Sequence, residues 1–196
     1  MKIKATLIVL MVLTGTLYSQ SIQSPSEFLG YEIGTRFTRH HKVVAYFKYV
    51  STILGNVKLE KYGETNENRP LYITFISSQE NINNLENIRK ENLSQTVITA
   101  GNVANKKAIV WLSYNVHGNE ASSTEAAMLT LYKLITEKQS WLQNTVVIID
   151  PCINPDGRDR YANWYNQVKS TPYNVEQSAT EHDEPWPGGA TKSLSV

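Results

Sequence analysis

Residues 106–157 read "KKAIVWLSYNVHGNEASSTEAAMLTLYKLITEKQSWLQNTVVIIDPCINPDG". The two ends of this stretch, Lys106–Val116 and Asn144–Ile153, are apolar runs of strand length, and each predicts a buried strand. Between them Ser122 is followed three residues later by Glu125, the pattern of a capping box at a helix start. Met128, Leu131, Tyr132 and Ile135 then recur at three and four, which gives one apolar stripe on that helix. A strand, a helix and a second strand in this order predict a βαβ unit, so the fold class is α/β.

Upstream, the same reading continues. Val43, Val44, Phe47, Val50 and Leu54 predict a helix over Thr38–Leu54, ended by Gly55 and Asn56. Val57–Gly63 alternates as a strand, "ETNENRP" is a polar loop, and Leu71–Ser77 is a second, mostly apolar strand. Ile82, Leu85 and Ile88 predict a helix over Ser78–Asn92. Beyond Asn166 the periodicity fades, and residues 167–196 read as loop. There are no internal repeats.

Composition narrows the class of partner. The chain has 196 residues, 41% hydrophobic and 19% charged, which is enough for one domain with a core. A formal net charge of +1 offers no electrostatic basis for nucleic-acid binding. Lys2 and Lys4 precede the uncharged run Ala5–Leu17, and small polar residues follow. This is the layout of a signal peptide, so residues 1–20 are set aside and the mature chain, 21–196, is expected to be secreted or periplasmic, with no membrane attachment after cleavage. The single cysteine, Cys152, has no disulfide partner in the chain and ends an apolar run, as a small buried hydrophobe does.

The candidate site lies at the end of the first strand of the βαβ unit. With 4 histidines in the chain, some His-x-x-Glu would arise by chance about one time in three. Position, not pattern, singles out His117 and Glu120. They fall where open α/β sheets place their ligands, just past a strand's carboxyl end. The spacing of three can turn both side chains the same way, and Gly118 allows a tight turn between them. Imidazole nitrogen and carboxylate oxygen both suit zinc. The plainer reading is a solvent-facing histidine and a glutamate complementing the helix dipole. "NPDGRDR" (154–160) ends the next strand at the same edge. It is a strong turn sequence, and it places Arg158 and Arg160 either near the site, facing a carboxylate or oxyanion, or in solvent.

With these motifs in order, the chain resembles the M14 family of zinc carboxypeptidases. The strand–"HGNE"–helix, the upstream "YGETNENRPLYITFIS" and the downstream "NPDG" carry the likeness, which is strongest over residues 35–165. Asn68 stands where the family usually has glycine. The resemblance implies a three-layer α/β/α domain with a mixed sheet of the zinc carboxypeptidase type, incomplete at the C-terminus. It implies Zn2+ as cofactor, His117 and Glu120 as its first two ligands, and the C-terminus of a peptide or protein as substrate. A metal-activated water would hydrolyse the last peptide bond.

The resemblance also implies parts that do not match here. The family's third ligand, its general base and its Asn-Arg clamp for the substrate carboxylate have no counterpart after Asn154. The one Asn-Arg pair is Asn68-Arg69. Arg158 and Arg160 take no family role, and His182, in an expected loop, is too early for the third ligand. His40 and His41 are expected to face solvent from the first helix. A truncated or frame-shifted domain is the expectation. Two other readings stand beside the peptidase: a zinc deacylase sharing His-x-x-Glu and acting on N-acyl amino acids, and a non-catalytic binding module with a relict site.

Overall fold

Strands β1 (Val57–Glu64), β2 (Pro70–Ile76), β3 (Ala108–Ser113) and β4 (Thr145–Asp150) form one mixed sheet in the order β1–β2–β4–β3. The structure is a computed structural model, and it describes residues 21–96, 107–169, 174, 176 and 178–183. The expected leader, 1–20, and most of the expected loop beyond 169 lie outside the described residues. β1 pairs antiparallel with β2, and β2 with β4, whereas β3 and β4 are parallel. That parallel pair needs a crossover, and a helix supplies it, as the βαβ pattern requires. The α/β class and the mixed sheet are as expected.

Among the described residues six α-helices accompany the sheet: α1 (Pro25–Leu29), α2 (His40–Ile53), α3 (Gln79–Asn83), α4 (Leu85–Gln95), α5 (Ser123–Thr136) and α6 (Pro155–Val168). The strand registers align Val57, Ile76, Val147 and Val110 in one row, and Leu59, Thr74, Ile149 and Leu112 in the next. Onto this face α2 brings Val43, Phe47 and Val50, and α5 brings Met128, Leu131 and Ile135. Each such side chain, fully buried, stabilises by about 1.5–3 kcal/mol. The two helical stripes read from the sequence are therefore the two walls of the core.

Four expectations change. β3 is not buried: among the described residues it is an edge strand, and Trp111 is 61% exposed. Apolar, β-branched composition marks a strand without saying where in the sheet it sits. The single helix expected over Ser78–Asn92 is two, α3 and α4, broken at Asn84, whose amide closes α3 onto the Glu80 and Asn81 carbonyls. The capping box of Ser122 and Glu125 does not form, because the Ser122 side chain makes no cap bond and Glu125 turns into the interior.

The fourth change concerns "NPDG", which is a helix start and not a free turn. Asn154 caps α6, its Oδ1 accepting the Gly157 amide at 3.0 Å, and Pro155 takes the first helical turn. Asparagine at the cap and proline just inside are the residues that a helix N-terminus favours. Tyr161, Ala162 and Tyr165 continue the buried face of α6 beyond its first turn. Phe37 packs edge-on against Tyr165, ring centroids 4.5 Å apart.

Candidate metal centre

Because β3 and β4 are parallel, the segments that leave them emerge at one edge of the sheet. The ladder continues briefly past both ends: the Tyr114 amide donates to the Asp150 carbonyl at 3.0 Å, and the Ile153 amide to the Tyr114 carbonyl at 3.0 Å. Asn115 then turns the chain by adopting a left-handed φ of 58°. Asparagine is among the few non-glycine residues that take this conformation readily. Asn115 is buried, and its Oδ1 has no partner. Local strain of this kind marks a turn that the surroundings hold in place.

The turn that follows carries the pair. The Glu120 amide donates to the His117 carbonyl at 3.1 Å, which folds residues 117–120 back on themselves. His117 Nδ1 and Glu120 Oε1 meet at 2.9 Å, with side chains 43% and 61% exposed. Two ligands of a tetrahedral zinc stand about 3.3 Å apart, given metal–ligand bonds near 2.0–2.1 Å. The two donors are thus already close to that spacing and open to solvent. Among the described residues no group of three or more His, Cys, Asp or Glu side chains is placed to hold a metal. The pair offers two donors of the right chemistry, and no third stands with them among the described residues.

Gly118 is required here for a reason beyond flexibility. A Cβ at this position would lie 2.6 Å from the Arg158 amide nitrogen, and closer still to the Gly157 carbonyl. The His117 turn and the start of α6 are therefore in backbone contact, which any side chain at 118 would force apart.

Arg158 is neither at the pair nor in solvent. It is fully buried, and its guanidinium donates to the Thr38 carbonyl at 2.9 Å, to Glu125 Oε1 at 2.7 Å and to the Ala121 carbonyl. Glu125 Oε1 also accepts the Thr38 amide at 2.6 Å. This is why Glu125 is unavailable to the capping box. The arginine joins three segments: the lead into α2, the turn before α5, and α6. At 0% exposure it is out of reach of a substrate carboxylate. Arg160 is exposed.

The upstream motif meets the same helix. Arg69 pairs with Asp156 at 2.7 Å and Asp159 at 3.2 Å, and also with Glu67. Thr65 Oγ1 donates to Asp156 at 2.7 Å. Asn68, where the family usually has glycine, has a φ of 60° in the turn between β1 and β2. Asparagine thus serves a position that glycine would fill without strain. His40, expected in solvent, is buried. Its Nε2 is 3.0 Å from the Pro70 carbonyl, its backbone amide donates to Asp159 at 2.8 Å, and its Nδ1 has no partner. Burial first of all holds its pKa below the ordinary value. His41 is exposed, as expected.

The remaining candidates are elsewhere. His182 ends a short turn and packs edge-on against Tyr165, centroids 5.5 Å apart. Cys152 is buried, and burial pushes its thiol well above the usual range, so it stays protonated and unreactive. Sequence reasoning missed Asn115, Glu125 and Asp156. The Asn-Pro pair was a signal for the cap of α6, but no local signal announces an ion pair that spans 33 residues, as Arg158–Glu125 does.

Comparison with known proteins bears on the family and the fold. A family described as zinc carboxypeptidase matches residues 43–188. No curated protein matches the chain. Among solved structures, carboxypeptidase A from Helicoverpa armigera is similar with a TM-score of 0.51 and 20% identity, over 71% of this chain and 29% of its own. Bovine thrombin-activatable fibrinolysis inhibitor, solved with a tick carboxypeptidase inhibitor, gives a TM-score of 0.45 at 17% identity, over 71% and 36%. A metallo-carboxypeptidase from Burkholderia cenocepacia gives 0.40 at 18%, over 61% and 28%. The first of these shows a shared fold. The chain spans less than a third of that protein's length.

Proposed function

The chain belongs to the zinc carboxypeptidase family, and we propose from that premise that His117 and Glu120 are two zinc ligands of a peptidase acting on the free C-terminus of a peptide or protein. The observation that carries this reading is the 2.9 Å approach of His117 Nδ1 to Glu120 Oε1 on an exposed turn at the carboxyl end of β3. The donor set fits zinc, which when bound polarises a carbonyl and lowers the pKa of water. The chain's own part is to present an imidazole nitrogen and a carboxylate oxygen side by side. The backbone contact at Gly118 and the buried Arg158 keep that turn against α6. Among the described residues two donors make a weak site, so this pair by itself binds zinc loosely.

Export is part of the same proposal, resting on the basic and apolar character of residues 1–20. Among the described residues no helix is long and apolar enough to cross a membrane.

Calorimetric titration of the chain with zinc tests the site. Binding that weakens sharply in both His117→Ala and Glu120→Ala supports it. Binding that is the same in all three proteins removes the metal role from this pair.

A further inference from the structure

The turn that carries the pair is held from outside, and chiefly by α6. The Asn154 amide group bridges two elements: Oδ1 accepts the Gly157 amide at 3.0 Å, while Nδ2 donates to the Val116 carbonyl at 3.1 Å. One turn further on, Arg158 donates to the Ala121 carbonyl. From within, Asn115 Nδ2 reaches the His117 carbonyl at 3.3 Å. The backbone carbonyls at 116, 117 and 121 are thus each bound by a side chain. Gly118, between them, is pressed against the Gly157 carbonyl. The side chains of His117 and Glu120 bond to none of these groups and stay exposed.

We infer that Asn154 and Arg158 are positioning residues: from the start of α6 they clamp the 115–121 turn in one shape, so that His117 and Glu120 are preset side by side before any metal arrives. Preset donors bind more tightly because less chain freedom is lost on binding. The inference rests on the zinc reading for its purpose, but the clamp itself is a property of the metal-free protein. Asn154 serves as both helix cap and clamp, and chemistry can separate the two roles. Asn154→Asp keeps an oxygen acceptor for the Gly157 amide, and aspartate caps as well as asparagine. It loses the Nδ2 donor, and with it the bond to Val116.

The test uses the full chain, first without metal. Backbone 15N order parameters at Gly118 and Glu120 should be near 0.85 in the unaltered protein and fall toward about 0.6 in Asn154→Asp. The Gly157 amide should hold in both variants, because the cap is kept, while the thermal midpoint should fall in Asn154→Asp, whose buried carboxylate faces the Val116 carbonyl. Asn154→Ser, a capping residue that brings no charge against the Val116 carbonyl, should loosen the same two amides. Zinc affinity, read by competition with a chelating dye, should drop about 10–100-fold in both variants, the usual cost of losing a group that orients a ligand. Order parameters at 118 and 120 that match the unaltered protein in both variants would overturn the clamp. Zinc affinity indifferent to His117→Ala would instead remove the metal reading, with the clamp still decided by the order parameters.

Discussion

Two acid–base pairs flank the start of α5, and they could hardly be placed more differently. His117 and Glu120 approach to 2.9 Å with side chains 43% and 61% exposed, and among the described residues their side chains meet only each other. Arg158 and Glu125 approach to 2.7 Å at 0% and 5% exposure. The buried pair is also bonded to the Thr38 amide and carbonyl, the Ala121 carbonyl and the Thr124 hydroxyl. Removing two charges from water is costly, and only a fully satisfied network offsets it. An exposed pair with one screened contact is worth at most about 1 kcal/mol, and so can re-form around a cation at little cost. Similar residue chemistry gives a structural joint in one place and an available donor set in the other. Burial decides which.

The largest effect should come from breaking the joint. Arg158→Ala leaves Glu125 charged and unpaired in the core, and should cost about 3–5 kcal/mol in urea unfolding. Replacing both partners, as in Arg158→Met with Glu125→Leu, should recover much of that loss, because no orphaned charge remains. A single variant within about 1 kcal/mol of the unaltered protein would show that the network does not hold these segments together. Next comes the contact between the two regions. Gly118→Ala sets a methyl group against the Gly157 carbonyl, and overpacking against backbone should cost about 1–3 kcal/mol. Zinc affinity should fall with it, since the turn must move off α6. An alanine tolerated on both counts would separate the pair from the joint.

A smaller effect is expected with pH. His40 sits behind the joint, and burial holds its pKa below the ordinary 6.5, with Arg69 adding to the lowering and the Pro70 carbonyl, Asp159 and Asp156 opposing it. A depressed folded pKa means that the unfolded chain takes up the proton first. The stability that neutral His40 contributes is therefore complete above 6.5 and is lost as pH falls through the folded pKa. Urea midpoints between about pH 7.5 and about pH 5.5 should fall more in the unaltered chain than in His40→Gln. Parallel falls would remove His40 from the acid response.

How much of this could be read beforehand follows the range of the interactions. The helical stripes of α2 and α5 and the alternation in β1 are local signals, and each led to the right element. The pair itself was legible because strand, glycine and helix start lie within a dozen residues. What was not legible depends on distant partners. Glu125 fits a capping box until Arg158 claims it from α6. His40 looks like an exposed residue at a helix start until the Pro70 carbonyl covers it. α6 was hidden because its buried face is made of Gly157, Arg158, Tyr161, Ala162 and Tyr165, which do not form an apolar stripe. The exposure of β3 depends on which strand lies beside it, and that is not written in β3.

The smallest effect on stability should come from the residues that matter most for binding. His117→Ala removes one exposed, solvent-screened contact, so urea unfolding without metal should shift by no more than about 0.5 kcal/mol. The comparison then turns on what zinc does. A ligand that binds only the folded state raises its stability in proportion to the logarithm of its concentration over Kd. The unaltered chain should therefore gain stability as zinc is raised, and His117→Ala should not, although the two start level. Arg158→Ala should show the converse, a large loss without metal. If His117→Ala is as damaging as Arg158→Ala in the absence of zinc, the turn is another piece of the joint, and the division between the two pairs fails.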